Sequence, residues 1–292
     1  MSRVLFVHAH PDDETLATGI ALAHLSDRGH DVHVLTCTLG EEGEVIPPEL
    51  AYLEQAPGDP LAAHRRAELR TAMGILGVSH HVLGEPDAGG EPAAYRDSGM
   101  AGSVAARHPR AFASAPLAAV AGHLRAVIAG LAPDLVVTYD GEGGYGHPDH
   151  IRVHEATVAA LAGMPEATRP RLALILTPLS WAREDRAWLT GADLDPAWSV
   201  PGEDAAYPPS VVADALVTYA VCAPEQIARQ AAALRAHATQ VIVGEGAYAL
   251  SNLVAARLSG REGYAAADPV TGALLPGHGP RRDLEELLRT GE

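Results

Sequence analysis

Short apolar runs of strand character alternate along this chain with longer stretches of helical period, and that alternation is its tightest constraint on fold. Residues 4–8, 32–37, 81–83, 135–138 and 171–176 read as strands. Between them, 15–27 reads as a helix with Leu16, Ile20 and Ala23 on one face. A second helix starts at Asp59-Pro60, with Asp59 as cap, buries Leu69, Met73 and Leu76, and stops at Gly77. Leu117, Val120, Leu124, Ile128 and Leu131 make an amphipathic helix closed by Pro133, and Asp149 is placed to cap another running to about residue 161. Strands alternating with helices predict an α/β fold, a Rossmann-like parallel sheet with right-handed crossovers and flanking helices. Residues 38–58 form a long acidic loop, and 224–237 read as a late helix. An irregular excursion at about 163–222 carries Trp181, Trp188 and Trp198, expected to pack a small satellite core, with a lid or subunit contact as the alternative. Beyond residue 258 the pattern carries no signal. With no low-complexity linker or repeat, 1–292 is expected to be a single domain with a C-terminal elaboration.

Composition removes several functions. Thirty-seven acidic residues face twenty-one basic ones, a formal charge of −16, and every basic residue is arginine. Such a chain is expected to bind neither nucleic acid nor an anionic membrane. Without lysine it has no Schiff-base chemistry and no lysine-dependent phosphate loop. Two cysteines, Cys37 and Cys222, make no disulfide framework and fit a reduced cytoplasm. The residues before the first strand hold no signal-peptide core, and the longest apolar stretch, 117–132, is interrupted by His123 and Arg125, so no membrane span is expected. Nothing in the sequence speaks to oligomeric state. The unexplained surplus is histidine, fifteen in all.

Two loops gather that surplus. After the first strand the chain reads His8-Ala9-His10-Pro11-Asp12-Asp13-Glu14, with none of the glycines of a dinucleotide-binding turn. After the fourth it reads Asp140-Gly141-Glu142-Gly143-Gly144-Tyr145-Gly146-His147-Pro148-Asp149-His150. In a doubly wound sheet these strands lie side by side at the switch point, and their loops share one crevice. Either loop alone is ordinary turn chemistry. Together they hold the donors of a zinc hydrolase, which takes two imidazoles and a carboxylate and keeps an open position for water.

His10-Pro11-Asp12-Asp13-Glu14 and His147-Pro148-Asp149-His150 resemble the paired signatures of the LmbE-like (PIG-L) zinc N-deacetylases. Residues 36–46, Arg96-Asp97-Ser98-Gly99-Met100-Ala101-Gly102, Gly143 to His150 and His237-Ala238-Thr239-Gln240-Val241 resemble a subgroup, the mycothiol-biosynthesis N-acetylglucosaminyl-inositol deacetylases. The resemblance implies a hydrolase that frees acetate from a small amino-sugar inositol and leaves glucosaminyl-inositol. It also implies one Zn2+ per chain, with Fe2+ as the alternative in the cell. The rivals are the related mycothiol S-conjugate amidase, another N-acetylglucosamine-type deacetylase of the family, and a non-catalytic sugar- or metal-binding protein. The amidase tends to carry a lysine near Ala17; this chain has none there. The subgroup also tends to carry lysine where Gln230 stands.

By the family pattern His10, Asp13 and His150 hold the metal, and Asp12 is the general base. His147, as an imidazolium, is the expected general acid and electrostatic partner, with Asp149 holding its ring. Tyr145 is expected to assist the oxyanion, and Arg65 and Asp97 to contact sugar and inositol hydroxyls. Glu14 is expected to support a ligand or loop amide, and His8 to stand behind the site. His154 is a minor ligand candidate and Glu44 a weak substrate candidate. His237 and Gln240 are expected to tie the late helix to the site. The other histidines, His278 among them, are given no chemistry.

Overall fold

The computed structural model describes residues 1–54, 56–86, 94–277 and 279–289; His278 lies outside them. Its centre is an eight-stranded sheet. The strands are β1 (Arg3–His8), β2 (Asp31–Thr36), β3 (Ser79–Val82), β4 (Leu135–Tyr139), β5 (Arg171–Ile175), β6 (Tyr219–Cys222), β7 (Arg261–Ala267) and β8 (Arg282–Asp283). Their order is β8-β6-β7-β5-β4-β1-β2-β3. The strands β3, β2, β1, β4 and β5 pair in parallel. Sequence order reverses at β1, which pairs with β2 on one side and β4 on the other. Val4, Leu5, Phe6 and Val7 are all fully buried, as are Leu135, Val136 and Val137. Strands covered on both faces have no need to alternate apolar with polar residues, which is why they read as unbroken apolar runs.

Helices cover both faces. On one, α1 (Asp13–Asp27), α2 (Pro60–Leu76) and α6 (Ile227–Ala236) bring Ile20, Leu69, Met73 and Ala233 against the sheet. On the other, α3 (Leu117–Leu131) and α4 (Pro148–Ala162) contribute Val120, Leu124, Ile128, Val153 and Leu161. No helix among the described residues is long and apolar enough to cross a membrane.

Three expectations need correction, and the segment beyond residue 258, which carried no sequence signal, contributes a strand: β7 enters antiparallel between β5 and β6. Its Glu262 carboxylate accepts the Ile20 and Ala21 N–H groups of α1 at 2.8 and 2.9 Å and the Tyr264 hydroxyl at 2.7 Å. Asp59 does not cap α2; it sits at φ 55° and its carboxylate is drawn to Arg96, 2.6 Å away. The cap of α4 is His147, whose Nδ1 accepts the Asp149 N–H, so Asp149 lies inside the first turn. The excursion at 163–222 contains a regular helix, α5 (Leu179–Gly191). Trp188 and Trp198 do pack a satellite core with Leu189, Ala247 and Ala255. Trp181 instead lines a cavity beside the switch point.

Leu124 is fully buried in α3. Leu124→Ala is expected to cost about 3 kcal/mol, read as a lower urea midpoint at constant slope, because the close-packed surroundings collapse only partly into the space. A loss below about 1 kcal/mol would contradict the packing described.

Candidate active site

The β1 and β4 ladder sets Val4, Leu5 and Phe6 opposite Leu135, Val136 and Val137, so both strands reach the same end of the sheet together. The loop from β1 turns into α1 at Asp13, and the loop from β4 turns into α4 at Pro148. The second turn depends on glycine. Gly143 has φ +64°, and a Cβ there would meet the Ile151 nitrogen at 2.7 Å.

Asp13 is the point of convergence. Its Oδ2 accepts the His10 N–H at 2.9 Å and the Tyr139 hydroxyl at 2.8 Å. The same oxygen lies 3.1 Å from His10 Nδ1 and 3.2 Å from His150 Nε2. The far nitrogen of His10, Nε2, is 3.2 Å from Asp149 and 3.4 Å from Asp97. Donor atoms of His10, His147 and His150 lie within 4.8 Å of one another, as do those of His10, Asp97 and Asp149. The buried His150 has no hydrogen-bond partner at Nδ1, and its Nε2 meets Asp13 Oδ2 as a close ion-pair contact without hydrogen-bond geometry.

This donor set fits a divalent metal. Buried imidazole nitrogens without partners are costly unless something binds them. Two imidazoles facing one carboxylate oxygen match a His-His-Asp ligand set, and a carboxylate on the outer nitrogen of His10 is the usual support for a ligating ring. Burial opposes charge on His10, but Asp97, Asp13 and Asp149 outweigh it and raise its pKa well above the ordinary value. Burial likewise works to raise the Asp13 pKa, yet His150 and His10 hold it well below the usual carboxylate range.

The other predicted residues surround this centre. Burial pushes the Asp12 carboxyl up to about 7, with Arg65 opposing the rise. Tyr145 is 54% exposed, its ring centroid 6.0 Å from that of His147 and 5.1 Å from that of His150. Burial, then His10 and His150, push the His147 pKa down to about 4. Its Nδ1 accepts the Asp149 N–H at 3.2 Å, which leaves the ring hydrogen on Nε2. The Asp149 side chain does not hold that ring: it accepts the Ser98 N–H at 2.9 Å and the Ala113 N–H at 3.0 Å, and faces His10. His154 turns away from the centre and bonds the Tyr139 carbonyl through Nδ1 at 2.9 Å.

Arg65 and Asp97 both line a cavity of roughly 600 Å³ that opens over His10, Asp12, Asp13 and His147. Arg65 is buried and engaged within the protein, donating to the Gly40 and Pro11 carbonyls and lying 3.3 Å from the Asp12 carboxylate. A Cβ on Gly40 would land 1.9 Å from that guanidinium. Asp97 accepts the Gly99 N–H at 2.8 Å. Glu42, Glu44, Gln240, Ser251 and Asn252 add polar groups to the same cavity. A second cavity, roughly 350 Å³, is lined by Asp13, Tyr145 and His150, with Trp181 and Tyr248 also in its wall. At the position where the subgroup tends to carry lysine, Gln230 donates to the Thr15 carbonyl at 3.0 Å.

Tyr139 was missed by sequence reasoning. Its hydroxyl bonds Asp13 and accepts the Ala9 N–H at 3.0 Å, and its ring stacks on His150 at 4.2 Å. One side chain thus orients a carboxylate from the first loop and an imidazole from the second. Its place as the last residue of an apolar strand, just before the polar loop, was the available signal. Tyr139→Phe keeps the stacking and removes the hydroxyl. It is expected to weaken metal affinity or activity about 10- to 100-fold, measured by competition with a chelating dye and by initial rates; unchanged values of both would contradict the role.

The sequence profile of the GlcNAc-PI de-N-acetylase (PIG-L) family matches residues 5–161. A 1D-myo-inositol 2-acetamido-2-deoxy-alpha-D-glucopyranoside deacetylase from Actinosynnema mirum is 43% identical over 290 residues, covering 97% of this chain and 95% of its own. A relative of the same name from Tsukamurella paurometabola is 42% identical, covering 97% of each chain. Among solved structures, a deacetylase of the teicoplanin biosynthesis pathway, in complex with bog, superposes with a TM-score of 0.52 at 20% identity, covering 91% of this chain and 99% of that one; this likeness concerns the fold. From the family match over residues 5–161 and this full-length similarity, the chain belongs to the PIG-L family of de-N-acetylases.

Proposed function

We propose that this protein is a zinc-dependent hydrolase that removes the N-acetyl group from 1-O-(2-acetamido-2-deoxy-alpha-D-glucopyranosyl)-1D-myo-inositol, releasing acetate and glucosaminyl-inositol. The observation that carries the reading is Asp13 Oδ2 lying 3.1 Å from His10 Nδ1 and 3.2 Å from His150 Nε2, beside a cavity that His10 and Asp13 line together with other polar groups. The relatives named for this activity match over nearly the whole chain, which supports the substrate. A neutral polyol needs hydrogen-bond partners and no basic pocket, consistent with the acidic wall.

His10, Asp13 and His150 would hold the metal, with Zn2+ favoured by two nitrogens and one oxygen and Fe2+ the alternative. When bound, the ion supplies Lewis-acid polarisation of the amide carbonyl and acidifies water. Asp12, raised to about 7 by burial, takes the proton of the attacking water. It then returns that proton to the departing amine nitrogen. His147, whose Nδ1 is taken by the Asp149 N–H, donates from Nε2 to the oxygen that gains charge, and Tyr145 approaches the same oxygen from the glycine turn. Asp149 acts through His10 and through the loop amides it binds. Asp97 and Arg65 face the sugar and inositol hydroxyls, and Arg65 also braces Asp12.

Acetate release from the N-acetylglucosaminyl-inositol tests this directly. Asp12→Asn is expected to lower kcat about 10²- to 10⁴-fold with zinc content unchanged. Full activity of that variant, or faster hydrolysis of a mycothiol S-conjugate than of the acetamide by the wild type, would overturn the assignment. Tight sugar binding without acetate release would point to a non-catalytic binding protein.

A further inference from the structure

Asp12 stands in a conformation that side chains rarely adopt, φ 112° and ψ −37°. Such a backbone costs about 1–3 kcal/mol and persists only where the surroundings over-determine it. A glycine would relieve the strain, but it would remove the carboxylate.

The restraint is visible in the hydrogen bonds. The Asp12 N–H donates to Glu14 Oε2 at 3.0 Å. The other oxygen, Glu14 Oε1, accepts the Thr15 hydroxyl at 2.6 Å and the ring N–H of His237 at 2.9 Å. Glu14 and His237 are both fully buried. His237 lies 223 residues further along, at the end of α6, and is itself anchored. Two residues on, Thr239 donates its N–H and hydroxyl to Glu68 of α2 at 2.9 and 2.7 Å, and its carbonyl accepts the Ile46 N–H at 2.9 Å. Gln230 of α6 adds a bond to the Thr15 carbonyl. Neither Glu14 nor His237 lines either cavity at the metal centre.

We infer that Glu14 and His237 form a clamp that holds the strained backbone of Asp12, so that the end of α6 aims the proposed general base of the first loop. They are positioning residues, out of reach of substrate. The inference rests on the deacetylase reading. The clamp predicts a specific pattern: the strain is local to Asp12, so its release disturbs proton transfer and leaves substrate binding alone.

The test is a mutant cycle on the zinc-loaded enzyme. His237→Phe keeps the ring volume and removes the N–H; His237→Gln restores a donor at similar reach; Glu14→Gln is read in the same cycle if His237→Phe fails to fold. Loss of the clamp should lower kcat about 10- to 100-fold, with KM changed by less than about twofold. His237→Gln should recover most of that loss. On an Asp12→Asn background the same changes should cost less than about twofold, because the group being aimed is gone. Zinc affinity, by competition titration, should stay within about threefold of wild type, since His10, Asp13 and His150 keep their own contacts. A crystal structure of the impaired variant should show Asp12 outside the positive-φ region. Folded variants with wild-type kcat, an equal loss on the Asp12→Asn background, or an unchanged Asp12 φ would each overturn the clamp. A wild-type enzyme that releases no acetate is instead the failure of the deacetylase reading.

Discussion

The site depends on β1 and β4 lying side by side. Their parallel ladder, Val4 with Leu135 through Phe6 with Val137, brings two loops separated by about 130 residues to one end of the sheet. Without that pairing, His10 and Asp13 would be a turn and His147 and His150 a helix start. With it, Asp13 meets His150 and the Tyr139 hydroxyl reaches back across the same junction to Asp13 and Ala9. The buried apolar strands therefore do more than fill a core: their register sets which polar groups meet.

The ionisable groups around the junction lie within contact of one another. His10 carries carboxylates on both sides, Asp13 toward the centre and Asp149 with Asp97 behind. Those carboxylates raise the His10 pKa, while burial and the neighbouring imidazoles lower that of His147. Arg65 is buried beneath Asp12 and ties it to the Gly40 turn. On the opposite side Glu14 and His237 hold the backbone of the same residue. Asp12 is thus the residue on which α2, α6 and the first loop all converge, and it is also the residue bearing backbone strain.

Much of this was legible in the chain. The five parallel strands and the meeting of the two loops follow from apolar runs bounded by polar turns, a local pattern that survives tertiary packing. The strands beyond 171–176 were not legible, because β7 reads Arg261-Glu262-Gly263-Tyr264 and its charges have partners only in three dimensions. Asp59 had the composition of a cap, but Arg96, distant in sequence, claimed its carboxylate. The side-chain direction of Asp149 was equally invisible, since Ser98 and Ala113 donate to it from a loop of no regular period. Local signals brought the candidate ligand loops together and named Arg65 and His237; the carboxylates those two engage, and Tyr139 altogether, required the fold.

The central claim is that one metal ion is held jointly by the two loops. Zinc titration of the metal-depleted protein, compared among wild type, His10→Ala and His150→Ala, tests it most directly. The account predicts one equivalent per wild-type chain and severe loss of affinity in both variants, each taking its ligand from a different loop. Retention of wild-type zinc affinity when His150 is removed would contradict it.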